Sequence, residues 1–172
     1  MKKVNLKPIS LTDLDDVMAL YSDESAMQFF GRAITKDPNE VKKIIQSNIN
    51  WNETKTGIRY VAYDDKKFIG IITLKRYDER FKRAEIDYIV ASNYRQKGYA
   101  SAILKDFSTL VFSKWDLNRI SAYVDPKNLA SQRLLKKMGF LNEGYLRNWG
   151  ISAEGKGESL YVYSLIKEDL ER

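Results

Sequence analysis

Two residue types are missing altogether from the 172 residues of this chain, which contains neither cysteine nor histidine. Their absence excludes disulfides, a thiolate nucleophile, an imidazole base and the commonest protein ligands of zinc. We therefore predict no metal site. Any catalysis would rely on carboxylates, hydroxyls, lysines, backbone amides or bound water.

Long apolar runs are also missing. No stretch approaches the ~20 apolar residues of a membrane-spanning helix, and the first ten residues lack the apolar core of a secretory signal. With 44% hydrophobic and 30% charged residues, and with no repeat or low-complexity segment, the composition is that of a globular protein. We expect one domain over residues 1–172, a cytoplasmic location and no membrane partner.

The charge balance is moderately basic, since 29 Lys and Arg residues against 23 Asp and Glu residues give a net charge of +6. A basic surface attracts anions without specificity. Because the basic residues are scattered and form no block, a solvated surface is one interpretation, and an anionic cofactor or a ribosome-like partner is the other. Nucleic-acid binding is not predicted.

Apolar periodicity and helix-start signals predict seven strands and four helices in the order β α α β β β α β α β β. The predicted strands cover residues 4–9, 58–63, 68–74, 84–90, 119–124, 140–147 and 159–166, with a flexible turn over 150–157. The helix signals are Thr12 with Asp15, the run Asp37-Pro38-Asn39-Glu40, an apolar face over 100–111, and Asn128 before a face that ends at Gly139. This pattern is typical of an α+β protein.

The segment 90–100 is interpreted as a strand end, a loop and the start of the long helix. Gly98 and Ala100 are small enough for a ligand to approach the backbone, and the free amides of a helix N-terminus attract anions. A pyrophosphate site is therefore one hypothesis, and a turn glycine before a packed helix is the other. The P-loop and the Rossmann fingerprint are excluded, because neither glycine pattern is complete.

Two motifs in this part of the chain resemble those of a known family. Arg95-x-x-Gly98-x-Ala100 resembles the acetyl-CoA pyrophosphate loop, [Q/R]-x-x-G-x-[G/A], of the GNAT superfamily of N-acetyltransferases. The later run Asn128-x-Ala130-Ser131-x-Arg133-Leu134-Leu135-x-Lys137-x-Gly139-Phe140-x-x-Glu143-Gly144-x-x-Arg147 resembles the last helix and following strand of its RimJ/RimL-type branch, the ribosomal-protein N-terminal acetyltransferases. The resemblance implies a GNAT fold, in which a mixed central sheet of about seven strands has a splayed fourth and fifth strand and is flanked by four helices.

The resemblance also implies an acetyl-CoA site. The backbone of Ile89 and Val90 would hold the pantetheine arm, and the backbone amides of Arg95, Gln96, Lys97, Gly98, Tyr99 and Ala100 would hold the pyrophosphate. Asn128 matches the family asparagine near the pantetheine, and Arg133 could reach the 3′-phosphate. A plain N-cap is the alternative for Asn128, and a solvated helix charge is the alternative for Arg133.

A base is needed in such a reaction because an ammonium has no lone pair with which to attack a thioester. Glu85 and Asp87 lie two residues apart on one strand, so they point to one face. Glu85 matches an acidic position of the family branch and is the candidate catalytic residue, whereas Asp87 stands where a small residue is expected. Asp87, a water relay and purely structural ion pairs are the alternatives. Ser131 matches a hydroxyl position proposed to protonate the departing thiolate, with an ordinary helix serine as its alternative.

The implied function is transfer of acetyl from acetyl-CoA to a primary amine, most simply the α-amine of a protein N-terminus. A polycation would need a strongly acidic pocket, and the nearest segments offer only Asp23, Glu24, Glu85 and Asp87. A polyamine or aminoglycoside-type acceptor and a non-catalytic CoA-binding module are the alternatives. A homodimer is a further expectation, since dimers are frequent among the proteins that this chain resembles.

Overall fold

The structure, a computed structural model, describes residues 2–151 and 155–171. Seven strands form one sheet in the spatial order β1-β2-β3-β4-β5-β7-β6. The strands are Asn5–Pro8 (β1), Ile58–Asp64 (β2), Lys67–Asp78 (β3), Arg83–Val90 (β4), Arg119–Val124 (β5), Leu141–Ile151 (β6) and Gly157–Ile166 (β7). The α-helices are Leu14–Tyr21 (α1), Glu24–Met27 (α2), Pro38–Glu53 (α3), Tyr99–Lys114 (α4) and Leu129–Lys137 (α5).

The sheet is mixed, because β4 and β5 run parallel while every other neighbouring pair is antiparallel. The parallel pair is joined through α4, since parallel strands need a crossover connection. The predicted fold class and seven-stranded mixed sheet are therefore confirmed.

Strands β4 and β5 pair over only part of their length. The paired residues are Arg83 with Arg119, Ala84 with Ile120, and Glu85 with Ser121. Beyond Glu85, β4 continues to Val90 while pairing only with β3. A gap therefore opens in the middle of the sheet, as the resemblance implied.

Helices cover both faces of the sheet. On one face α4 and α5 bury residues such as Ile103, Phe107 and Leu135 against the strands, and on the other α1 to α3 bury Val17 and Ile45. Strand β4 contributes to both layers because its side chains alternate: Ala84, Ile86 and Val90 enter the first core and Ile89 enters the second. Strand β4 is therefore anchored in both cores beside the gap.

The helix α2 is absent from the sequence prediction. It is a single turn whose N-cap, Asp23, accepts a hydrogen bond from the Ala26 amide at 3.1 Å, and one turn is too short to show a periodic apolar face. Strands β3 and β6 extend beyond their predicted ends. Within the predicted turn over 150–157, residues 152–154 lie outside the described part of the chain.

Candidate active site

A cavity of about 520 Å³ opens at the gap between β4 and β5. Its walls come from the end of β4, the loop before α4, the first turns of α4 and α5, and α2 with the residues after it. The predicted residues that line it are Ile89, Val90, Arg95, Gln96, Gly98, Ala100, Asn128, Ser131 and Arg133. The fold thus brings together most of the positions chosen from the two motifs. Lys97, Tyr99 and Glu85 are not among its lining residues.

The N-terminus of α4 faces this cavity with its amides uncapped. Gly98 is the N-cap residue, has a φ of 85° and offers no side-chain cap. Glycine adopts this left-handed conformation without strain. Because the first amides of a helix have no partner within it, Tyr99, Ala100 and Ser101 present donors at the positive end of the helix dipole. Such a terminus is suited to bind an anion.

Side chains of the loop before α4 are used within the protein. The Arg95 guanidinium donates hydrogen bonds to the carbonyl oxygens of Ala26 at 2.9 Å and Val90 at 3.3 Å, which ties α2 to the end of β4. The Lys97 ammonium donates to the Asn93 carbonyl at 2.8 Å. Tyr99 is buried and donates to Asp64 at 2.5 Å. The side chains of Arg95, Lys97 and Tyr99 thus have partners within the protein, and the pyrophosphate prediction assigns the ligand to the backbone amides of this loop.

Helix α5 and strand β4 each contribute one hydroxyl to the cavity. Asn128 caps the helix by accepting a hydrogen bond from the Ser131 amide at 3.1 Å, so its carboxamide oxygen has a structural role. The Ser131 hydroxyl lies 2.7 Å from the Tyr88 phenol oxygen. Burial raises the pKa of Tyr88 to about 12, so this phenol is neutral over the ordinary pH range. Tyr88 can therefore orient the Ser131 hydroxyl without carrying charge.

The two candidate carboxylates lie on the opposite face of β4 from Tyr88. Glu85 occupies the last paired position before the gap, opposite Ser121, and accepts hydrogen bonds from Arg76 at 3.1 and 3.2 Å. Asp87 accepts one from Lys75 at 2.6 Å, and its other oxygen lies 3.9 Å from the Arg59 guanidinium. Both carboxylates are thus ion-paired, and Glu85 stands beside the opening.

Comparison with known proteins agrees with this geometry. Residues 3–141 match the acetyltransferase (GNAT) domain family. The chain belongs to this family, and it is an N-acetyltransferase. The GNAT chain is 31% identical over 164 residues to the uncharacterized N-acetyltransferase YoaA of Bacillus subtilis (strain 168), and the match covers 94% of this chain and 92% of that protein.

Solved structures share the fold of this GNAT acetyltransferase. RimL, a ribosomal L7/L12 α-N-protein acetyltransferase in complex with coenzyme A, superimposes with a TM-score of 0.88 at 18% identity, over 96% of this chain and 95% of that one. Spermidine N-acetyltransferase from Vibrio cholerae, in complex with CoA and spermine, gives 0.87 at 19% identity over 98% of both chains. At these identities the likeness shows a common fold and leaves the acceptor open.

Other lining residues of the GNAT cavity were not predicted as site residues. Tyr88, Tyr94 and Ser101 line it. Strand alternation places Tyr88 on the face opposite Asp87, but no sequence signal shows that it meets a helix 43 residues away. Phe29 and Phe30 also lie at the cavity wall.

Two further findings concern the part of the chain that the structure describes. Its helices include none that is both long enough and apolar enough to cross a membrane. No cluster of three or more acidic side chains there is arranged to hold a metal ion.

Proposed function

We propose that residues 1–172 form one domain that transfers acetyl from acetyl-CoA to the α-amine of a protein N-terminus, with no metal, in the cytoplasm. The observation that carries the proposal is the cavity at the strand gap, because one opening joins the unpaired end of β4, the uncapped N-terminus of α4 and the Ser131 hydroxyl. These three features serve the amide-rich arm, the pyrophosphate and the thiol of one cosubstrate.

The residues present fit acetyl-CoA. Ile89 and Val90 would pair their backbone with the pantetheine amides, and the amides between Arg95 and Ala100 would bind the pyrophosphate. Arg133 is exposed at the cavity wall and makes no ion pair with a described residue, so its charge is available to the 3′-phosphate. Acetyl-CoA would supply the thioester at the gap. The residues of the chain would supply the proton transfers and the stabilisation of the oxyanion.

The chain must deprotonate the amine and protonate the leaving sulfur. Glu85, at the last paired position before the gap, would bind the ammonium and remove its proton, directly or through water. A backbone amide beside the gap would stabilise the oxyanion that forms. Ser131 would donate a proton to the sulfur, with Tyr88 holding its hydroxyl in place. Because the chain contains no cysteine or histidine, we propose direct transfer with both substrates bound together.

The charge of the cavity favours a peptide acceptor over a polyamine. Its lining residues include no Asp or Glu, and a polycation would need several carboxylates to offset its charge. A single α-ammonium needs only one carboxylate. The spermine-bound spermidine N-acetyltransferase that shares this fold makes a polyamine the second candidate. Its candidate anionic partners are Asp23, Glu24, Glu85 and Asp87. A homodimer is proposed on the family resemblance alone.

A thiol-release assay tests the proposal. Purified protein is given acetyl-CoA and, in turn, N-terminal peptides, the same peptides with a blocked N-terminus, spermidine, or no acceptor. We expect thiol release with free N-terminal peptides and a mass gain of one acetyl group on the peptide. Release with spermidine alone would assign the second candidate, and binding of acetyl-CoA without release to any amine would identify a non-catalytic module.

Initial-rate kinetics test the order of events. Plots against acetyl-CoA concentration at several peptide concentrations should intersect, and the protein mass after incubation with acetyl-CoA alone should show no acetyl adduct that discharges onto amine. Parallel lines with such an adduct would overturn direct transfer and require a covalent residue.

A further inference from the structure

A second cavity, of about 360 Å³, lies between α3 and β2. It shares no lining residue with the cavity at the strand gap. Its polar wall is formed by Arg32, Glu40, Lys43, Asn48 and Arg59, and Trp51 supplies an aromatic surface. Nothing in the proposed transfer reaction uses these residues.

Arg59 is a buried cation at the base of this cavity, with only 6% of its surface exposed. Its Nε donates to Thr73 at 2.8 Å and its Nη1 donates to the Tyr21 phenol at 2.7 Å. The remaining nitrogen, Nη2, is 3.9 Å from Asp87, which is longer than a hydrogen bond. The guanidinium therefore keeps donors that make no hydrogen bond to a described residue, and a buried charge is costly unless such donors find partners.

Asn48 adds an unmatched polar group to the same wall. Its residue is 2% exposed, and its Oδ1 has no hydrogen-bond partner among the described residues. A buried polar atom without a partner costs free energy, and turning the carboxamide over would leave its nitrogen in the same position. Because Asn48 lines the cavity, a ligand bound there is positioned to supply a partner for this group.

The charge of the cavity is positive. Arg32, Lys43 and Arg59 contribute three cations against the single carboxylate of Glu40. Glu40 is already engaged, since one of its oxygens lies 3.5 Å from Arg32 and the other accepts a hydrogen bond from Thr35 at 2.5 Å. Asp87 lies 3.9 Å from Arg59 but does not line the cavity. The cavity wall therefore carries more positive than negative charge, which favours anions.

We propose that this second cavity binds a small carboxylate ligand that also carries a hydroxyl or amino group. The Arg59 guanidinium matches a carboxylate through parallel N–H donors, and Lys43 adds charge at the mouth. The hydroxyl or amino group of the ligand pairs with the Asn48 carboxamide. This site goes beyond the proposed acetyl transfer and does not depend on it.

Citrate, which carries carboxylates and a hydroxyl, is the probe for this site. Calorimetric titration at constant ionic strength should show saturable binding with a Kd below about 1 mM. Lys43→Gln should weaken binding about two- to fivefold. Lys42→Gln removes the same charge from a neighbouring exposed position outside the cavity and should leave the Kd unchanged.

Asn48→Leu gives the sharper test. It should weaken citrate binding about tenfold while leaving the ligand-free protein as stable as the wild type or more stable, because the unmatched polar group is gone. A structural asparagine would give the opposite result, a loss of stability. The melting temperature of each variant without ligand therefore confirms folding and separates the two roles.

Two results would overturn the proposal. Citrate binding that survives Asn48→Leu and disappears in Gly98→Asp would place the anion at the α4 N-terminus. Stabilisation by spermidine that Glu40→Gln removes, without any binding of citrate, would show that the cavity selects cations. Neither result depends on whether the protein acetylates a peptide, so the two proposals can fail separately.

Discussion

The Tyr88 phenol oxygen and the Ser131 hydroxyl oxygen lie 2.7 Å apart, although 43 residues separate them along the chain. The contact joins the strand at one side of the gap to the helix at the other. We predict that Ser131→Ala slows turnover strongly, since general-acid groups contribute about 10²–10⁴-fold.

Tyr88→Phe should lower kcat about two- to tenfold, which is the value of one neutral hydrogen bond. The double variant should be no slower than Ser131→Ala, because the tyrosine acts through the serine and the two effects are not additive. Because the pKa of Tyr88 is about 12, Tyr88→Phe should also leave the pH profile below pH 9 unchanged. A double variant much slower than Ser131→Ala would give Tyr88 an independent role.

Gly98→Asp should abolish the rise in melting temperature that acetyl-CoA causes in the wild type. The change places a carboxylate at the helix terminus that is proposed to bind the pyrophosphate. Gly155→Asp is the matched control, because Gly155 also has a positive φ and lies away from the lining residues. Unchanged acetyl-CoA affinity in folded Gly98→Asp would show that the cosubstrate binds elsewhere.

Glu85→Gln should reduce kcat about 10²–10⁴-fold with little change in acetyl-CoA affinity. Asp87→Asn is its comparison, since Asp87 accepts a hydrogen bond from Lys75 at 2.6 Å and lies two residues further along β4 from the paired end of the strands. A loss below about threefold for Glu85→Gln across the pH range would return Glu85 to its ion pair with Arg76. A large loss for Asp87→Asn would then identify Asp87 as the base.

Gly70→Ala should destabilise the protein and weaken acetyl-CoA binding together. A Cβ at Gly70 would lie 2.2 Å from the Ile89 carbonyl oxygen, so β4 would have to shift beside the gap. We expect a loss of about 1–3 kcal/mol in the free energy of unfolding, measured in urea. Gly150→Ala is the control, because nothing lies within 4 Å of a Cβ there.

Stability should depend on pH through Glu143, which accepts hydrogen bonds from Arg119 and Ser164. The Arg119 guanidinium lowers the pKa of Glu143 to about 2. A carboxylate with a lowered folded pKa stabilises the protein above its unfolded pKa, and this contribution is lost as the pH falls towards 2. Glu143→Gln should therefore be less stable than wild type at pH 7, and the difference should shrink between about pH 5 and pH 2.

The effect of Glu143→Gln should be modest, because the pair is partly exposed and solvent screens it. Urea unfolding at pH 7, 4 and 2.5 measures it. Glu158→Gln removes a carboxylate from an exposed position of β7 and should show no such pH-dependent difference. An undiminished difference at pH 2.5 would contradict the assigned pKa.

The cavity could be predicted from the sequence where its parts are local. Gly98 and the apolar face of α4 belong to one continuous segment, so residue spacing makes a ligand at the helix start one of two hypotheses, and the resemblance of the motif to the family loop favours it. The partners of Glu85 and Asp87 depend instead on the register of β3, which a bulge shifts between Lys75 and Asp78. No local pattern encodes that shift.

The buried Arg59 illustrates the same limit. In the sequence it stands in an apolar run between Ile58 and Tyr60, where a charge suggests a solvent-facing position. In the fold, Arg59, Thr73 and Asp87 occupy one row across three strands. Their mutual contacts exist only once the sheet has formed. The second cavity, which Arg59 lines, could therefore not be predicted from the sequence.

The gap between β4 and β5 divides the sheet into two parts that are joined by few backbone pairs. Among the described residues, strands β1 to β4 pair with strands β5 to β7 only through Arg83, Ala84 and Glu85. The sheet therefore has two parts that are connected at one end of β4. The open end of β4 behaves as an edge strand in the interior of the protein, where unpaired backbone groups would otherwise accept a foreign strand. A ligand that bridges the gap would connect the two parts of the sheet at the other end of β4. Amide hydrogen exchange in both parts would then slow together.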